Sequence, residues 1–246
     1  GSPNHVNNND YTFTYTIQTG NEVAAFGHTN IQDTALVSEY PDTNFVSDGT
    51  MAAGDYCGTL YADECRITVG LDASQIPFPQ YQQVHSAALG LYVEDWTSAL
   101  GATSVSFSVH PMLSSWSQTS ATWNGTTGGA TWGAPGLQAG VDYGDAVSTT
   151  VANVDTTGWL WFDLSTAGMT ITSSHAWIII ASPNTGHAHA SFYSSDANVL
   201  AYRPQILFNT TNITTLDISP TGAVSTDADT TVNFNSVAYD HQSMVQ

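Results

Sequence analysis

Apolar and hydroxyl residues alternate along this chain with a period of two, a pattern that suits strands and does not suit helices. Tyr11, Phe13, Tyr15 and Ile17 fall on one side of an extended segment, and Thr12, Thr14 and Thr16 on the other. Val105, Phe107 and Val109 alternate with serines. Trp159, Trp161 and Asp163 alternate with Leu160, Phe162 and Leu164, so both faces there are largely apolar. Ala88-Leu89-Gly90-Leu91-Tyr92-Val93 reads as a buried strand. A period of two is the pleat of a β-strand, whereas a helix repeats every 3.6 residues. Helix formers are scarce and lysine is absent, while Thr, Ser, Val, Gly and aromatic residues dominate, which favours strands and turns. The pattern predicts an all-β fold, a β-sandwich of jelly-roll type. The longest apolar stretch, Ala176 to Ala181, has strand length, and no apolar run reaches the span of a membrane helix.

Charge narrows the partners. Twenty-one Asp and Glu stand against two basic residues, Arg66 and Arg203, for a formal net charge of −19. Such a chain repels phosphate backbones and anionic bilayers, so neither nucleic acid nor membrane insertion is expected. Only 9% of residues are charged, so Ser, Thr, Asn, Gln and Gly must carry solubility. Two cations in so acidic a chain are expected to be structural, each in a bidentate carboxylate pair that pins strands. Asp72, Asp163 and Asp196 are the candidate partners.

The chain divides into an N-terminal extension with one strand (1–32), a main sandwich (33–210) and a C-terminal extension (211–246). The last is strand-forming or the start of an Ig-like domain. Cys57 and Cys65 are separated by seven residues, which suits a disulfide across a hairpin; two buried thiols are the alternative. Three sequons, at Asn124, Asn209 and Asn212, favour the disulfide, because glycosylation and disulfides share the secretory route. The expected location is therefore secreted, at the cell surface. The start shows no basic-then-apolar leader, so any secretion signal is expected to have been removed.

Several segments, in order, resemble the DNRLRE domain family of extracellular β-sandwich modules related to carbohydrate-binding modules. They are Asp33 to Glu39 with Pro41 to Phe45, Arg66 to Asp72 with Ile76-Pro77, and Ser86 to Val93. Ser114-Ser115-Trp116-Ser117-Gln118-Thr119-Ser120-Ala121-Thr122-Trp123-Asn124 is the most specific, followed by Phe192 to Asp196 and Arg203 to Phe208. The resemblance covers roughly residues 33 to 209. It implies a jelly-roll sandwich, a non-catalytic role and a place on secreted or surface proteins. One departure is Gly70, which sits where that strand usually continues with large residues.

Candidate sites follow from residue chemistry. Sugars stack their apolar faces on exposed rings. Trp132, among glycines, and Trp96, after Glu94-Asp95, are the expected platform, while Trp116 and Trp123 are expected to pack a loop. Asp42, Asn44 and Asp48 offer oxygens at short spacing, so a structural calcium is the one cofactor expected. His187-Ala188-His189 is a weaker metal pair. No nucleophile, zinc-hydrolase or similar motif occurs, so no catalysis is expected.

The tails suggest assembly. A lone strand leaves its backbone groups unpaired. Tyr11, Phe13, Tyr15 and Ile17, or Val232, Phe234, Val237 and Tyr239, are therefore expected to insert into a neighbouring copy by strand donation, giving a homopolymer. The alternative is a module that binds a surface polysaccharide, and a plain spacer is a third reading.

Overall fold

The computed structural model describes residues 13–18, 22–26, 30–59, 63–72, 82–125, 129–164, 175–182 and 186–218. Its elements are β1 (Phe13–Gln18), β2 (Glu22–Phe26), β3 (Ile31–Val37), β4 (Thr50–Gly54), β5 (Cys65–Leu71) and β6 (Gln82–Ser98). They continue with β7 (Ser104–Pro111), β8 (Ser148–Asn153), β9 (Gly158–Leu164), β10 (His175–Ala181), β11 (Ala188–Tyr193) and β12 (Gln205–Ile218). A 3-10 turn, Leu200–Tyr202, precedes β12. The all-β expectation holds, and every strand-to-strand ladder is antiparallel.

One continuous sheet runs β1-β12-β6-β11-β4-β5-β10-β7-β8, with β2 added to β12, β3 to β5 and β9 to β6. It curls on itself. Phe107 of β7 meets Phe192 of β11 edge-on at 5.7 Å and Trp96 of β6 at 6.0 Å, so the β7 end of the sheet faces the β6–β11 part across the core. The two parts join through one residue pair, Gly54 with Cys65. The disulfide Cys57–Cys65 closes the loop beside that junction.

The inward residues obey strand parity. Ile67 and Val69 of β5, Leu89 and Leu91 of β6, Phe107 and Val109 of β7, and Phe162 of β9 are fully buried. A second apolar cluster lies on the outer side of β3 and β10. Leu36 and Ile178 project there, and Ala121, Trp132 and Leu137 of the long loop 112–147 cover them. Trp116 and Trp123 also pack on this cluster, as expected of them.

Buried and half-buried polar groups hold that loop. The buried Asp142 carboxylate accepts bonds from Ser114 Oγ, Gly133 N and Gln138 N, each at 2.8 Å. Asn44 donates through Nδ2 to the carbonyls of Gln118 and Ala121 at 2.7 Å, and its Oδ1 accepts from Val46 N. Arg66 donates from Nε to Glu64 at 2.7 Å and from Nη1 to the carbonyls of Gly136 and Leu137, and lies over the Trp123 ring. The role of Arg66 is structural, but the expected bidentate pair is corrected. Its carboxylate partner is Glu64, bonded through Nε, and loop carbonyls take Nη1. Arg203 likewise donates Nε to the Ala197 carbonyl at 2.6 Å, and it has no carboxylate within ion-pair distance among the described residues.

The N-terminal strand is not free. Phe13, Tyr15 and Ile17 pair in register with Ile218, Leu216 and Thr214 of β12, so β1 completes its own sheet, and an unpaired donor strand there is corrected. Tyr11, Val232, Phe234, Val237 and Tyr239 lie outside the described residues. The first 32 residues hold two strands rather than one, since β2 also pairs with β12. Boundaries after residues 32 and 210 would cut β3 and β12. Asn209 and Asn212 sit within β12, opposite Ser86 and Gln82 of β6.

One carboxyl group is buried among the inward side chains. Asp33 is 1% exposed. Its Oδ2 accepts from Ser195 N at 2.7 Å and its Oδ1 from Ser195 Oγ at 3.0 Å. Burial pushes its pKa up to about 7, against the lowering effect of the Ser195 bonds. The folded state therefore keeps a proton that the unfolded chain has already lost at neutral pH. The stability this group contributes is complete below the ordinary aspartate pKa and is lost as pH rises through about 7. An amide can reproduce the neutral acid. Denaturation midpoints measured across this range should fall with rising pH in the native protein, and Asp33→Asn should flatten that fall and be the more stable form on its alkaline side.

Candidate functional site

The outer face of β6, β9 and β11 carries a continuous row of aromatic rings. Parity places them there. Leu89, Leu91 and Val93 of β6 point inward and are buried, which turns Gly90, Tyr92 and Glu94 outward. On β9, Phe162 and Leu164 point inward, so Trp159, Trp161 and Asp163 share the outer side. The register sets Trp161 beside Gly90 and Trp159 beside Tyr92.

Contacts between the rings are close. Trp159 and Trp161 stack with centroids 5.4 Å apart and planes 26° from parallel. Trp159 meets Tyr92 edge-on at 5.5 Å. Tyr92 stacks on Tyr202 at 4.0 Å, and Tyr202 stacks on Tyr193 of β11 at 5.5 Å. Five rings thus cross three neighbouring strands, about 10 Å from first strand to third by ordinary sheet spacing. Trp161 is 37% exposed, and the other four are half-buried. Each ring is supported by a neighbour while offering surface to solvent.

Gly90 makes room for the row. A Cβ built there would lie 2.6 Å from Cζ3 of Trp161 and 2.7 Å from its Cη2, closer than atoms pack. The bare backbone of β6 is what lets the indole lie flat on the sheet. Thr150 Oγ1 of β8 donates to the Trp161 carbonyl at 3.2 Å, which ties the edge of β9 to its neighbour.

The rim is polar and acidic. Glu94 and Asp163 are exposed beside the rings, and Gln205 of β12 pairs with Gly90. The Tyr193 hydroxyl is held above its ordinary pKa, first by desolvation among the rings and then by the Glu94 carboxylate that accepts its bond. Desolvation and the adjoining Tyr202 raise Tyr92 in the same way. Both phenols therefore stay neutral near pH 7 and keep a proton to donate. The arrangement presents apolar ring faces edged by hydroxyl, amide and carboxylate groups, with no ammonium or guanidinium group in it.

The sequence-predicted platform is corrected. Trp96 is 8% exposed and donates Nε1–H to the Thr156 carbonyl at 2.9 Å. The β6–β11 register slips by one residue, pairing Asp95 with Ser191 but Val93 with Phe192. This bulge at Glu94 reverses parity, so Trp96 turns inward although it follows two exposed acids. Trp132 is 7% exposed and donates Nε1–H to the Thr122 carbonyl at 2.8 Å; its glycine neighbours shape a packed loop. Two residues of the expected cation loop make bonds within the protein. Asn44 holds backbone, and Asp42 Oδ1 accepts from Asn124 Nδ2 at 2.9 Å. Among the described residues no group of three or more His, Cys, Asp or Glu is placed to hold a metal ion. His187 Nδ1 contacts Asp55 at 3.2 Å, while His189 Nδ1 faces the Tyr56 carbonyl.

A signal for the real row was present in the sequence. Asp163 shares parity with Trp159 and Trp161, and Glu94 with Tyr92, which marks those faces as wet. Tyr202 has no such signal, because a turn places it.

No protein-family model matches this chain, and no curated protein matches it. The site is therefore read from its own geometry. Gly90→Val should force Trp161 off the sheet at a cost of about 1–3 kcal/mol. The expected result is a folded protein, by circular dichroism, whose tryptophan emission is more accessible to acrylamide.

Proposed function

We infer that this chain is a non-catalytic, extracellular carbohydrate-binding module whose ligand is an uncharged polysaccharide. The carrying observation is the row Trp161, Trp159, Tyr92, Tyr202 and Tyr193. A pyranose ring has an apolar face of C–H groups that stacks on an aromatic face, and hydroxyls around its edge that seek donors and acceptors. The row supplies the first, and Gln205, Glu94, Asp163 and the two phenols supply the second. A run of rings across three strands suits an extended chain rather than a single sugar.

Charge supports the uncharged ligand. At −19 overall, with both arginines bound to loop carbonyls, a sulfated or uronate polymer would meet repulsion and no countercharge. The disulfide and the sequons support a place outside the cell. Strand donation into a polymer is the weaker reading, because β1 is already paired within the chain. The expected calcium plays no part in this reading.

Retention on insoluble cellulose, chitin, xylan and mannan tests the proposal. The full chain should be retained on at least one of them in buffered salt. Trp161→Ala, which removes the most exposed ring of the row, should weaken retention about 10- to 30-fold, as loss of an aromatic anchor does, and Trp159→Ala combined with Trp161→Ala should abolish it, with the melting temperature little changed. Retention on none of the four, or equal retention of the double variant, would overturn the proposal.

A further inference from the structure

The rings of the outer row are also the side chains that give up an electron most readily. Indole and phenol are oxidised far more easily than phenyl or aliphatic groups. Electron tunnelling falls off exponentially with separation, so an electron vacancy moves fast only between rings in contact. Trp161, Trp159, Tyr92, Tyr202 and Tyr193 follow one another at centroid separations of 5.4, 5.5, 4.0 and 5.5 Å. Tyr92 also lies 6.0 Å from Tyr193 directly, which gives the vacancy a second way across. The inward rings of the same strands, Phe162 of β9 and Phe192 of β11, are fully buried phenyls and do not take it up. The path runs along the outer face of the sheet and not into the core.

The two ends of the row are unlike. Trp161 is its most exposed ring, open to collision with a molecule in solution, and an oxidised indole holds its charge for a time without giving up a proton. Tyr193 is half-buried, and its hydroxyl donates to the Glu94 carboxylate. An oxidised phenol is a very strong acid, so a phenol is easily oxidised only where a base stands ready for its proton. Glu94 is that base. The row thus has an entrance at an indole and a terminus where a neutral phenoxyl radical can rest. Glu94 and Asp163 are exposed beside the rings, and the chain carries −19 overall, a field that draws cations to this face.

We propose that the row is a radical relay, which passes oxidation by a cationic one-electron oxidant, a metal complex, from Trp161 to Tyr193. The oxidant takes one electron from Trp161. An electron from Tyr193 refills Trp161 by way of Tyr202, Tyr92 and Trp159, and the Tyr193 hydroxyl proton passes to Glu94 as that electron leaves. The products are one reduced oxidant, one neutral tyrosyl radical and one protonated glutamate. The relay rests on ring contacts and a proton acceptor, and does not depend on saccharide binding. Laser flash photolysis of the full chain with ruthenium tris-bipyridine and persulfate tests it, with indole and phenoxyl radicals followed by their separate absorption bands. The indole radical should appear first, and the phenoxyl radical should grow as it decays. Tyr193→Phe, which removes only a hydroxyl, should lower the phenoxyl yield by more than half and prolong the indole radical. Glu94→Gln keeps an acceptor for the phenol's hydrogen bond but cannot take its proton. It should slow phenoxyl growth about a hundredfold, the low end of what a positioned proton acceptor contributes. Tyr40→Phe, at an exposed tyrosine outside the row, should change neither yield nor rate. An unchanged phenoxyl yield in Tyr193→Phe, unchanged growth in Glu94→Gln, or a yield lost in Tyr40→Phe would overturn the proposal. Retention on no polysaccharide would count against the saccharide reading and leave the relay standing.

Discussion

Strand β6 carries ladders to three partners, and both the interior and the ring row depend on its alternation. Along its length it pairs with β12, β9 and β11. Leu89, Leu91 and Val93 enter the core, and the residues between them, Gly90 and Tyr92, floor and form the outer row. A slip of one residue would exchange these sets, drive Tyr92 inward and expose the leucines, which is why register is so strongly specified when one face is buried. The bulge at Glu94 lets the same strand send Trp96 back into the core beneath β11. Core and site are two readings of one pleat.

Elsewhere the fold solves a second problem. The outer side of β3 and β10 carries Leu36 and Ile178, which strand pairing alone leaves uncovered. The loop 112–147 covers them, and it stays in place because Arg66, Asp142 and Asn44 bind its backbone and side chains at several points. A buried carboxylate with three donors is a strong fixture, since ionised acceptors make the stronger hydrogen bonds. Arg203 is tied separately to the Ala197 carbonyl, and the exterior is left acidic and hydroxyl-rich. Such an exterior suits ligands that are polar without being charged.

The sequence made the strands legible and the exposure of its tryptophans much less so. Alternation located the strands around Phe13, Phe107 and Trp161, continuous apolar runs located those around Leu89 and Ile178, and the cysteine spacing located the disulfide. The structural role of Arg66 was legible from its scarcity, but its partners were not, because a loop some seventy residues away in sequence supplies the carbonyls. Trp96 was misread because a bulge adds a residue that alternation cannot anticipate. Trp132 was misread because glycine and proline neighbours mark a loop without saying what the loop covers. The row itself was half legible, in Trp159 and Trp161. Tyr202 joins through a turn, and Tyr193 through a strand far away in sequence. Gly70 reads as a departure from a strand pattern and Gly90 as one residue of a buried strand, and each marks the place where an indole rests on bare backbone.

The most direct test observes the indole N–H resonances of the seven tryptophans by NMR while soluble cello-, xylo-, manno- and chito-oligosaccharides are added. The ring row predicts that Trp159 and Trp161 shift with at least one series, while Trp96, Trp132 and Trp177, sealed from solvent, hold still. Silence of Trp159 and Trp161 with all four series, or shifts confined to the sealed rings, would contradict it.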